Sequence, residues 1–450
     1  MYFDYQIEGI ARLVQMKSAL LADEMGLGKT IEAIGAMNHY MEHVFAEPDR
    51  GINILIICPA NLKYNWLKEF KIWSKYDLPC GIVKGGKYPE DVNVVIINYD
   101  IIKRHKPRIQ ETEWDYLILD EAHYLKNPKS ARTKAIFGLK DGPIEAKRVI
   151  AITGTPAPNR PIELYPLLRY LDPKHYKSEI TFATRYCNAQ RVWIFDPKSK
   201  RYTRRWDFSG ASNLRELNAN LRSGLMIRRL KKDVLKDLPP KLRQVIEVDI
   251  PLSKEEKQLS DITGKLISGR LTKTQFDTAV DKLTEASAIP FLTLSKICKE
   301  TAIRKIPYVI SHIKDCLVGT DKLVVFCYHV EMLETLAKEF PHISVTLSGS
   351  TPKKDRLTAV DRFQTDETIR LFIGNIKAAG VGVTLTASSN LIMAESSWVP
   401  GEISQAEDRV HRIGQNEKVL IQHLVLKGST DALKIKSAVN KQKVIDKIMD

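Results

Sequence analysis

The stretch Ala22-Asp23-Glu24-Met25-Gly26-Leu27-Gly28-Lys29-Thr30 directly follows a short apolar run, Ala19 to Ala22, and precedes the helical pattern Ile31 to Val44. A strand, a turn and a helix in this order form the first half of a βαβ unit. Similar apolar runs recur in the first third of the chain and after about residue 305. They are Ile52 to Cys58, Val92 to Ile97, Tyr116 to Leu119, Val149 to Ile152, Leu323 to Phe326, Ile343 to Leu347, Leu371 to Ile373, Leu391 to Ala394 and Val419 to Val425. Because the runs lack strict alternation, they predict an α/β protein of two lobes, each with a parallel sheet covered by helices.

Two glycines give the first stretch the features of a phosphate-binding loop. Gly26 and Gly28 let backbone amides turn toward an anion without a Cβ in the way, and the N-terminus of the next helix adds a positive dipole. Lys29 is placed to reach terminal phosphates, and Thr30 is placed to bind Mg²⁺. A plain glycine-rich turn stays open as the alternative, because Asp23 stands where the common GxxxxGK[ST] spacing has glycine.

A later apolar run ends in two acids, Asp120 and Glu121. A buried strand that ends this way suits Mg²⁺ binding, with Asp120 orienting the water shell of the ion and Glu121 polarising an attacking water. An Asp-Glu pair alone is more often a helix N-cap, but its position after the glycine loop favours the metal site. At the next strand end, Thr153 and Thr155 place two hydroxyls at the edge where open α/β sheets bind ligands, with a simple Ser/Thr turn as the alternative.

Near the C-terminus, the segment Gln405 to Gln415 carries Arg409 and Arg412 three residues apart, which predicts that both lie on one helical face. Two neighbouring guanidinium groups repel each other unless an anion lies between them, so a bound phosphate is one explanation. A solvated, charged helical face is the other, because Glu407 and Asp408 lie in the same segment.

Composition excludes several classes of protein. The 450 residues are 44% hydrophobic and 27% charged, which excludes disordered and collagen-like chains. The six cysteines show no CxxC spacing that would hold zinc, and we expect them to be reduced thiols. No window approaches the roughly 18 apolar residues of a membrane span, so we expect a soluble protein inside a cell.

The positive charge is concentrated in one segment. The formal net charge is +15, and Lys174 to Arg243 holds 18 basic against 6 acidic residues, a difference of 12. Such a block suits a polyanionic partner. From Tyr176 to Phe208 the basic residues alternate with aromatic ones, and we predict that Arg201, Arg204 and Arg205 contact DNA. The alternative is a small satellite core of rings with a solvated rim of charges.

Six ordered motifs resemble those of the Swi/Snf-like ATPases of helicase superfamily two. They are Asp23 to Thr30, Asp120 to His123, Thr153 to Pro156, Gly349-Ser350-Thr351 with Arg356 and Phe363, Ala378 to Leu385, and Gln405 to Gln415. Their order and spacing extend over nearly the whole chain. Within the family, the sequence looks closest to the annealing-helicase (HARP-related) branch. The segments that carry this likeness are Arg185-Tyr186-Cys187, Trp206 to Gly210, Arg228 to Leu235 and Gln405 to Arg409.

The resemblance implies two tandem RecA-like lobes that bind ATP and Mg²⁺ between them, and movement along double-stranded DNA. Between the lobes we expect a basic, largely helical insert. The implied nucleotide-binding residues are Tyr5, Gln6, Gly26, Gly28, Lys29, Thr30 and Gly380, with Tyr5 and Gln6 at the adenine and Thr30 and Asp120 at the metal. The implied catalytic residues are Lys29, Glu121, Gln405, Arg409 and Arg412, with the two arginines as arginine fingers. The residues implied to couple the nucleotide state to DNA are His123, Thr153 and Thr155.

The predicted domains are an ATP-binding lobe 1 (1–172), the basic insert (173–244), a helical linker (245–304) and lobe 2 (305–450). The predicted function is a DNA-dependent ATPase motor that reanneals or remodels DNA. A strand-separating DNA or RNA helicase and a nucleotide-gated DNA-binding protein are the alternatives. Expected partners are double-stranded or branched DNA and single-strand-binding or repair proteins. We expect a monomer without a membrane partner, in the cytoplasm or nucleoid of a prokaryotic or viral source or in the nucleus of a eukaryotic one.

Overall fold

A computed structural model of the chain describes residues 2–44, 51–138, 142–156, 160–196, 201–267, 290–379, 383–397, 399–433 and 435. The chain divides into two compact units, the first up to Lys236 and the second beginning at Asp237. The division falls just before Pro239 and Pro240, a pair that cannot sit inside a helix.

A seven-stranded parallel sheet forms the centre of the first unit. Its strands are β1 (Ser18–Leu21), β2 (Ile54–Cys58), β3 (Cys80–Ile82), β4 (Val94–Asn98), β5 (Trp114–Asp120), β6 (Ala146–Ile152) and β9 (Met226–Ile227), in the order β3-β4-β2-β5-β6-β1-β9. Every residue of β2, β4 and β5 is buried, as expected for strands covered on both faces.

Helices connect these strands and cover the sheet. They are α1 (Asp4–Gln15), α2 (Lys29–Val44), α3 (Lys63–Trp73), α4 (Ile102–Gln110), α5 (Ala131–Phe137) and α6 (Tyr165–Leu171), together with two 3₁₀ helices (Ala122–Leu125 and Pro161–Leu164). Strand residues such as Leu55, Ile97 and Leu117 pack with helix residues such as Ile102 and Leu168 in one apolar core. Burial of this core holds the ends of the parallel strands in a fixed register.

The basic segment between β6 and β9 contains an antiparallel hairpin between two helices. Helix α7 (Glu179–Tyr186) is followed by β7 (Gln190–Asp196) and β8 (Arg201–Asp207), and then by α8 (Leu214–Gly224). The segment therefore differs from the predicted, largely helical insert. The physical reason is that the long aromatic and β-branched residues of β7 and β8 favour extended chains.

The second unit is built on a six-stranded sheet that is also parallel. Its strands are β10 (Lys241–Val248), β11 (Leu323–Cys327), β12 (Ser344–Leu347), β13 (Leu371–Asn375), β14 (Asn390–Met393) and β15 (Val419–Leu426), in the order β10-β15-β14-β11-β13-β12. Its helices are α10 (Lys254–Ile267), α11 (Pro290–Gly319), α12 (Val330–Glu339), α13 (Lys353–Thr365), α14 (Ile376–Ala379) and α15 (Pro400–Glu407), and the short α9 (Lys231–Val234) precedes the division.

Two parallel sheets covered by helices confirm the predicted α/β fold with two lobes. Each of the ten apolar runs in the sequence overlaps one strand of these sheets. Within the described ranges, no helix combines the length and the apolar character needed to cross a membrane.

Candidate nucleotide-binding site

The carboxyl ends of three neighbouring strands align at one edge of the first sheet. In the strand register, Leu21 at the end of β1 pairs with Ile152 at the end of β6, and Ile152 pairs with Asp120 at the end of β5. The glycine loop, the acid pair and the Thr153 turn leave these three ends. They therefore meet at the edge where parallel α/β sheets bind ligands.

The glycine loop is closed around the side chain of Lys29. Gly26 and Gly28 have positive φ angles of 84° and 79°, a conformation that side chains rarely adopt. Lys29 begins α2, and its Nζ donates hydrogen bonds to the carbonyl oxygens of Asp23 (2.8 Å) and Glu24 (3.1 Å). Burial lowers the pKa of Lys29, and a polyanion beside the ammonium group would favour its charged form.

The N-terminus of α1 packs directly on this loop. The hydroxyl of Tyr5 donates to the carbonyl of Leu27 at 2.9 Å, and the side-chain amide of Gln6 donates to the same oxygen at 3.2 Å. Both side chains are buried, and a Cβ at position 28 would clash with Nε2 of Gln6. Tyr5 and Gln6, which the resemblance assigns to the adenine, thus contact the glycine loop itself.

The acid pair lies in a buried and constrained position. The carboxylate of Asp120 accepts hydrogen bonds from Nε1 of Trp66 (2.7 Å) and from the backbone N–H of Glu121 (2.9 Å). Burial, and then the charge of Glu121, raises the pKa of Asp120 to about 7. Glu121 adopts a left-handed backbone conformation with a φ of 50°, which is costly for a non-glycine residue. Such strain is common where a side chain must point in a functional direction.

Contacts connect the acid pair to the Thr153 turn. Nδ1 of His123 lies 3.2 Å from Oε2 of Glu121 and 3.1 Å from Oγ1 of Thr153. The hydroxyl of Thr153 also accepts the backbone N–H of Thr155 at 3.2 Å. A Cβ at Gly154 would lie 3.4 Å from Nζ of Lys29, so the turn and the glycine loop are close neighbours. The three residues predicted to couple the nucleotide state therefore form one contact chain that begins at Glu121.

Arg229 is a site residue that the motif arguments did not identify. Its side chain forms ion pairs with the buried carboxylates of Asp23 and Glu32, and its backbone N–H donates to Oδ1 of Asp23 at 2.7 Å. Its guanidinium also lies 5.2 Å from the ring centroid of Tyr5. Burial, and then the charge of Asp23, raises the pKa of Glu32 to about 8. We call Asp23, Glu32 and Arg229 the loop clamp; the clamp explains why Asp23 replaces the usual glycine.

The chain beside Arg229 adds more contacts to the same loop. Nη1 of Arg228 donates to the carbonyl of Ala22 at 2.8 Å, and the backbone N–H of Lys231 donates to the Glu24 carboxylate at 2.7 Å. Strand β9 pairs with β1 immediately before these residues. The basic run from Arg228 was the available signal, since adjacent arginines that follow an apolar strand can pair with buried acids as well as with DNA.

We expect Arg229→Ala to lower the free energy of unfolding by about 3–5 kcal/mol, because the change leaves two buried carboxylates without their cation. Urea unfolding of the full chain measures the loss. The matched control is Arg185→Ala, which removes an exposed ion pair with Glu216 and should cost less than about 1 kcal/mol. Equal losses in the two variants would contradict a stabilising role of the clamp.

Arg409 and Arg412 do not lie on a helical face. Helix α15 ends at Glu407, and both arginines lie in the turns that follow, so the predicted helical placement is wrong. The two are still neighbours, because Nη1 of each donates to the carbonyl of Val383, at 3.3 Å and 3.4 Å. Nε of Arg409 also donates to the carbonyl of Gln405 at 3.1 Å.

Glu407 and Asp408 are buried acids, so the alternative of a solvated charged face is wrong as well. Nζ of Lys241 lies 3.1 Å from the Glu407 carboxylate and 3.2 Å from that of Asp408, and Arg243 donates to Glu407 at 2.6 Å. Although burial acts in the opposite direction, the charge of Lys241 and hydrogen bonds from His423 and Arg243 hold the pKa of Glu407 well below its usual range. These ion pairs attach the turn that contains Arg409 and Arg412 to strand β10.

Two of the predicted positions lie outside the described residues or side chains. Gly380 is outside the described residues, and of Arg201 only the backbone is described, as the first residue of β8. Arg204 and Arg205 are exposed on β8, away from the apolar core. Gln405 is buried in α15 next to the arginine turn.

Two family models together match residues 5–414 of the chain. Residues 5–303 match the SNF2-related domain, and residues 304–414 match the helicase conserved C-terminal domain. The chain therefore belongs to the SNF2-related family. The match confirms the family predicted from the motifs and, with it, the class of nucleotide-using, helicase-like ATP hydrolases.

Individual relatives extend the comparison. The chain is 35% identical over 454 residues to the DNA annealing helicase and endonuclease ZRANB3 of Mus musculus, covering 95% of this chain and 39% of that protein. It is 33% identical over 440 residues to the SWI/SNF-related matrix-associated actin-dependent regulator of chromatin subfamily A-like protein 1 of Xenopus tropicalis, covering 95% and 43%. The chain thus spans about two fifths of the length of these relatives. A Sulfolobus solfataricus SWI2/SNF2 ATPase core in complex with dsDNA aligns with a TM-score of 0.45 at 22% identity over 100% of this chain and 97% of that one, which is too low to bear on the fold.

Proposed function

We propose that this chain uses ATP hydrolysis to move along double-stranded DNA and that it reanneals or remodels the DNA it tracks. The observation that carries the proposal is the register that aligns the ends of β1, β5 and β6. At those ends lie a phosphate loop, an acid pair and a turn in contact with both. Phosphoryl transfer needs these parts, because its catalysis rests on positioning and charge stabilisation.

Thr30 and Asp120 would hold a magnesium ion together with the nucleotide phosphates. The adjacent carboxylates of Asp120, which is buried, and Glu121, which is partly buried, repel each other, and a divalent cation would offset that repulsion. Among the described residues, no group of three or more His, Cys, Asp or Glu could hold a metal alone. When bound, the ion would neutralise negative charge on the phosphates.

Side chains of the first unit would bind and activate the nucleotide. Lys29 would bind the terminal phosphates, while Tyr5 and Gln6 would contact the adenine from helix α1, which packs on the glycine loop. Glu121 would orient the attacking water and accept its proton. The contact chain from Glu121 through His123 to Thr153 would report the state of the nucleotide to the DNA-binding surface.

Side chains of the second unit would complete the site. Arg409 and Arg412 would act as arginine fingers on the developing phosphate charge, with Gln405 beside them. Gly380 would lie at the nucleotide in the same unit. Hydrolysis would then require the two units to close over one nucleotide, and this cycle of closure would drive movement along the duplex.

The proposed domains are lobe 1 (1–172), the basic insert (173–244), the helical linker (245–304) and lobe 2 (305–450). Arg201, Arg204 and Arg205 of the insert would contact DNA phosphates, and the proposed substrates are duplex and branched DNA. The similarity to the DNA annealing helicase and endonuclease ZRANB3 supports annealing. Single-strand-binding or repair proteins are the proposed partners, in the nucleus of a eukaryotic source or at the nucleoid of a prokaryotic or viral one.

ATP turnover tests the proposal when it is measured in parallel without nucleic acid and with blunt duplex DNA, forked DNA, single-stranded DNA or RNA. We expect duplex and forked DNA to stimulate turnover strongly, and single strands and RNA to stimulate it little. Equal stimulation by single strands or RNA would favour a strand-separating helicase. Nucleotide-dependent DNA binding without turnover would favour a nucleotide-gated binding protein. Lys29→Ala is the control, because it removes the phosphate-binding ammonium group.

A further inference from the structure

The aromatic residues of the basic segment fall into two sets. Phe182 is buried in the core of the first unit, and its ring lies 5.5 Å from Tyr165, 6.1 Å from Tyr176 and 5.1 Å from Tyr186. Trp193 and Tyr202, in contrast, are each 67% exposed on the hairpin of β7 and β8. The rings of the helices therefore belong to the main core of the first unit and not to a separate satellite core, and the rings of the hairpin remain unexplained.

The strand register places the exposed rings on one face of the hairpin. Trp193 is directly opposite Arg204, and Arg191 is directly opposite Trp206. Because side chains of a strand alternate between faces, Tyr202 lies on the same face as Arg204 and Trp206. The guanidinium of Arg191 lies 5.0 Å from the ring centroid of Trp206. We call Arg191, Trp193, Tyr202, Arg204 and Trp206 the aromatic face.

The opposite face of the hairpin has a different character. Val192 there is opposite Arg205, and Gln190 is opposite Asp207. In the described part of that face no tryptophan or tyrosine occurs, and an acid accompanies its arginine. Rings and arginines thus alternate on one face only, which is the arrangement expected of a binding surface and not of a uniformly solvated ribbon.

The root of the hairpin is fixed to the helices on either side. The backbone N–H of Asn188 donates to Oγ of Ser212 at 3.0 Å, and Ser212 donates its own N–H to the carbonyl of Tyr186 at 2.9 Å. Arg185 of α7 forms an ion pair with Glu216 of α8. Contacts within the first unit therefore hold the base of the hairpin that carries the aromatic face.

We propose that the aromatic face is the element of the chain that contacts unpaired nucleotides where they adjoin a duplex. The flat faces of bases are hidden inside a duplex, where only phosphates and base edges are available to a protein. Unpaired bases instead stack on aromatic side chains, while neighbouring arginines bind the backbone. The proposal rests on the proposed function, because it names the part of a DNA substrate that the hairpin recognises.

Fluorescence anisotropy with two labelled DNAs, at one salt concentration, tests the proposal. One DNA is a blunt duplex, and the other is the same duplex extended by two single-stranded arms. We expect the double variant Trp193→Ala, Tyr202→Ala to bind the forked DNA about 5- to 150-fold more weakly, the loss of one stacked base, and to bind the duplex as wild type does. The variant Trp193→Phe, Tyr202→Phe keeps both rings and should keep the affinity for the fork.

Arg205→Ala is the matched control on the opposite face, and it should weaken binding to both DNAs by the same factor. The proposal is overturned if the double alanine variant keeps its affinity for the fork. A protein partner would then be the remaining candidate for binding to this face. It is also overturned if both DNAs weaken equally in that variant. Failure of the wild-type chain to bind either DNA would instead refute the proposed function.

Discussion

Replacing Arg409 with alanine is expected to lower the kcat of ATP hydrolysis by about 10³-fold or more, the effect typical of removing an arginine finger. The affinity for ATP should change little, since the finger stabilises charge that develops only in the transition state. Single-turnover hydrolysis and nucleotide titration on the same preparation separate the two effects. Arg409→Lys should recover little, because lysine lacks the planar fork of arginine.

Replacing Arg409 can also change the stability of the second unit, because this side chain has a local packing role. Nε and Nη1 of Arg409 donate to the carbonyls of Gln405 and Val383, so the substitution also removes contacts within the second unit. Urea unfolding must therefore accompany the kinetics. Arg362→Ala is the matched control, because that exposed arginine lies near Asp366 on α13 and should affect neither measurement. A kcat for Arg409→Ala within about tenfold of the wild-type value would contradict the role of Arg409 as an arginine finger.

Replacing Glu121 with glutamine is expected to lower kcat by about 10² to 10⁴-fold, the range for loss of a general base. Glutamine keeps the size of the side chain but cannot accept the proton of the attacking water. Asp120 and Thr30 remain, so the affinity for magnesium and ATP should be preserved. The measurement is single-turnover hydrolysis at saturating ATP with and without duplex DNA.

Glu163→Gln is the matched control for this substitution. Glu163 is a largely buried acid of the same unit, 3.6 Å from Lys126, and it lies outside the aligned strand ends. Its replacement should leave kcat near the wild-type value. The role assigned to Glu121 would be contradicted if its variant turned over at the wild-type rate, or if the loss of turnover came entirely from loss of nucleotide binding.

The sequence predicted best those elements whose signal is local. All ten strands inferred from apolar runs exist, because burial on both faces forces a run of apolar residues that is visible without any knowledge of the partners. The glycine loop, the acid pair and the Thr153 turn were each recognisable because their signal is also local in the sequence. Parallel pairing of adjacent strands then brings their ends together, which is why three separate motifs combine into one site.

Elements stabilised by distant or solvent-facing contacts were not predictable in this way. Strand β10 exposes Leu242 and Val245 and is held by pairing with β15, which lies far away in the chain. The hairpin exposes large side chains on a basic ribbon, and none of its described side chains is buried, so its sequence does not show the pattern of a strand with a buried face. The alternating sequence pattern that predicts a strand arises only when one face of the strand is buried.

The loop clamp shows the same limitation in the site itself. Arg229 lies 206 residues from Asp23 and 197 from Glu32, and no periodicity relates positions so far apart. From the sequence, Asp23 was a departure from the phosphate-loop pattern and a reason for doubt. In the fold, it is the buried acceptor that fixes the loop to the end of the basic segment.

Displacement of a third DNA strand from a triplex most directly tests whether the chain is an ATP-driven motor on duplex DNA. The substrate is a duplex that carries a bound third strand at some distance from the site where the protein loads, and release of that strand is followed in time. We predict displacement with ATP and magnesium, and none with a non-hydrolysable analogue or with Glu121→Gln. Rapid ATP turnover on this duplex with the third strand still bound would contradict movement along DNA.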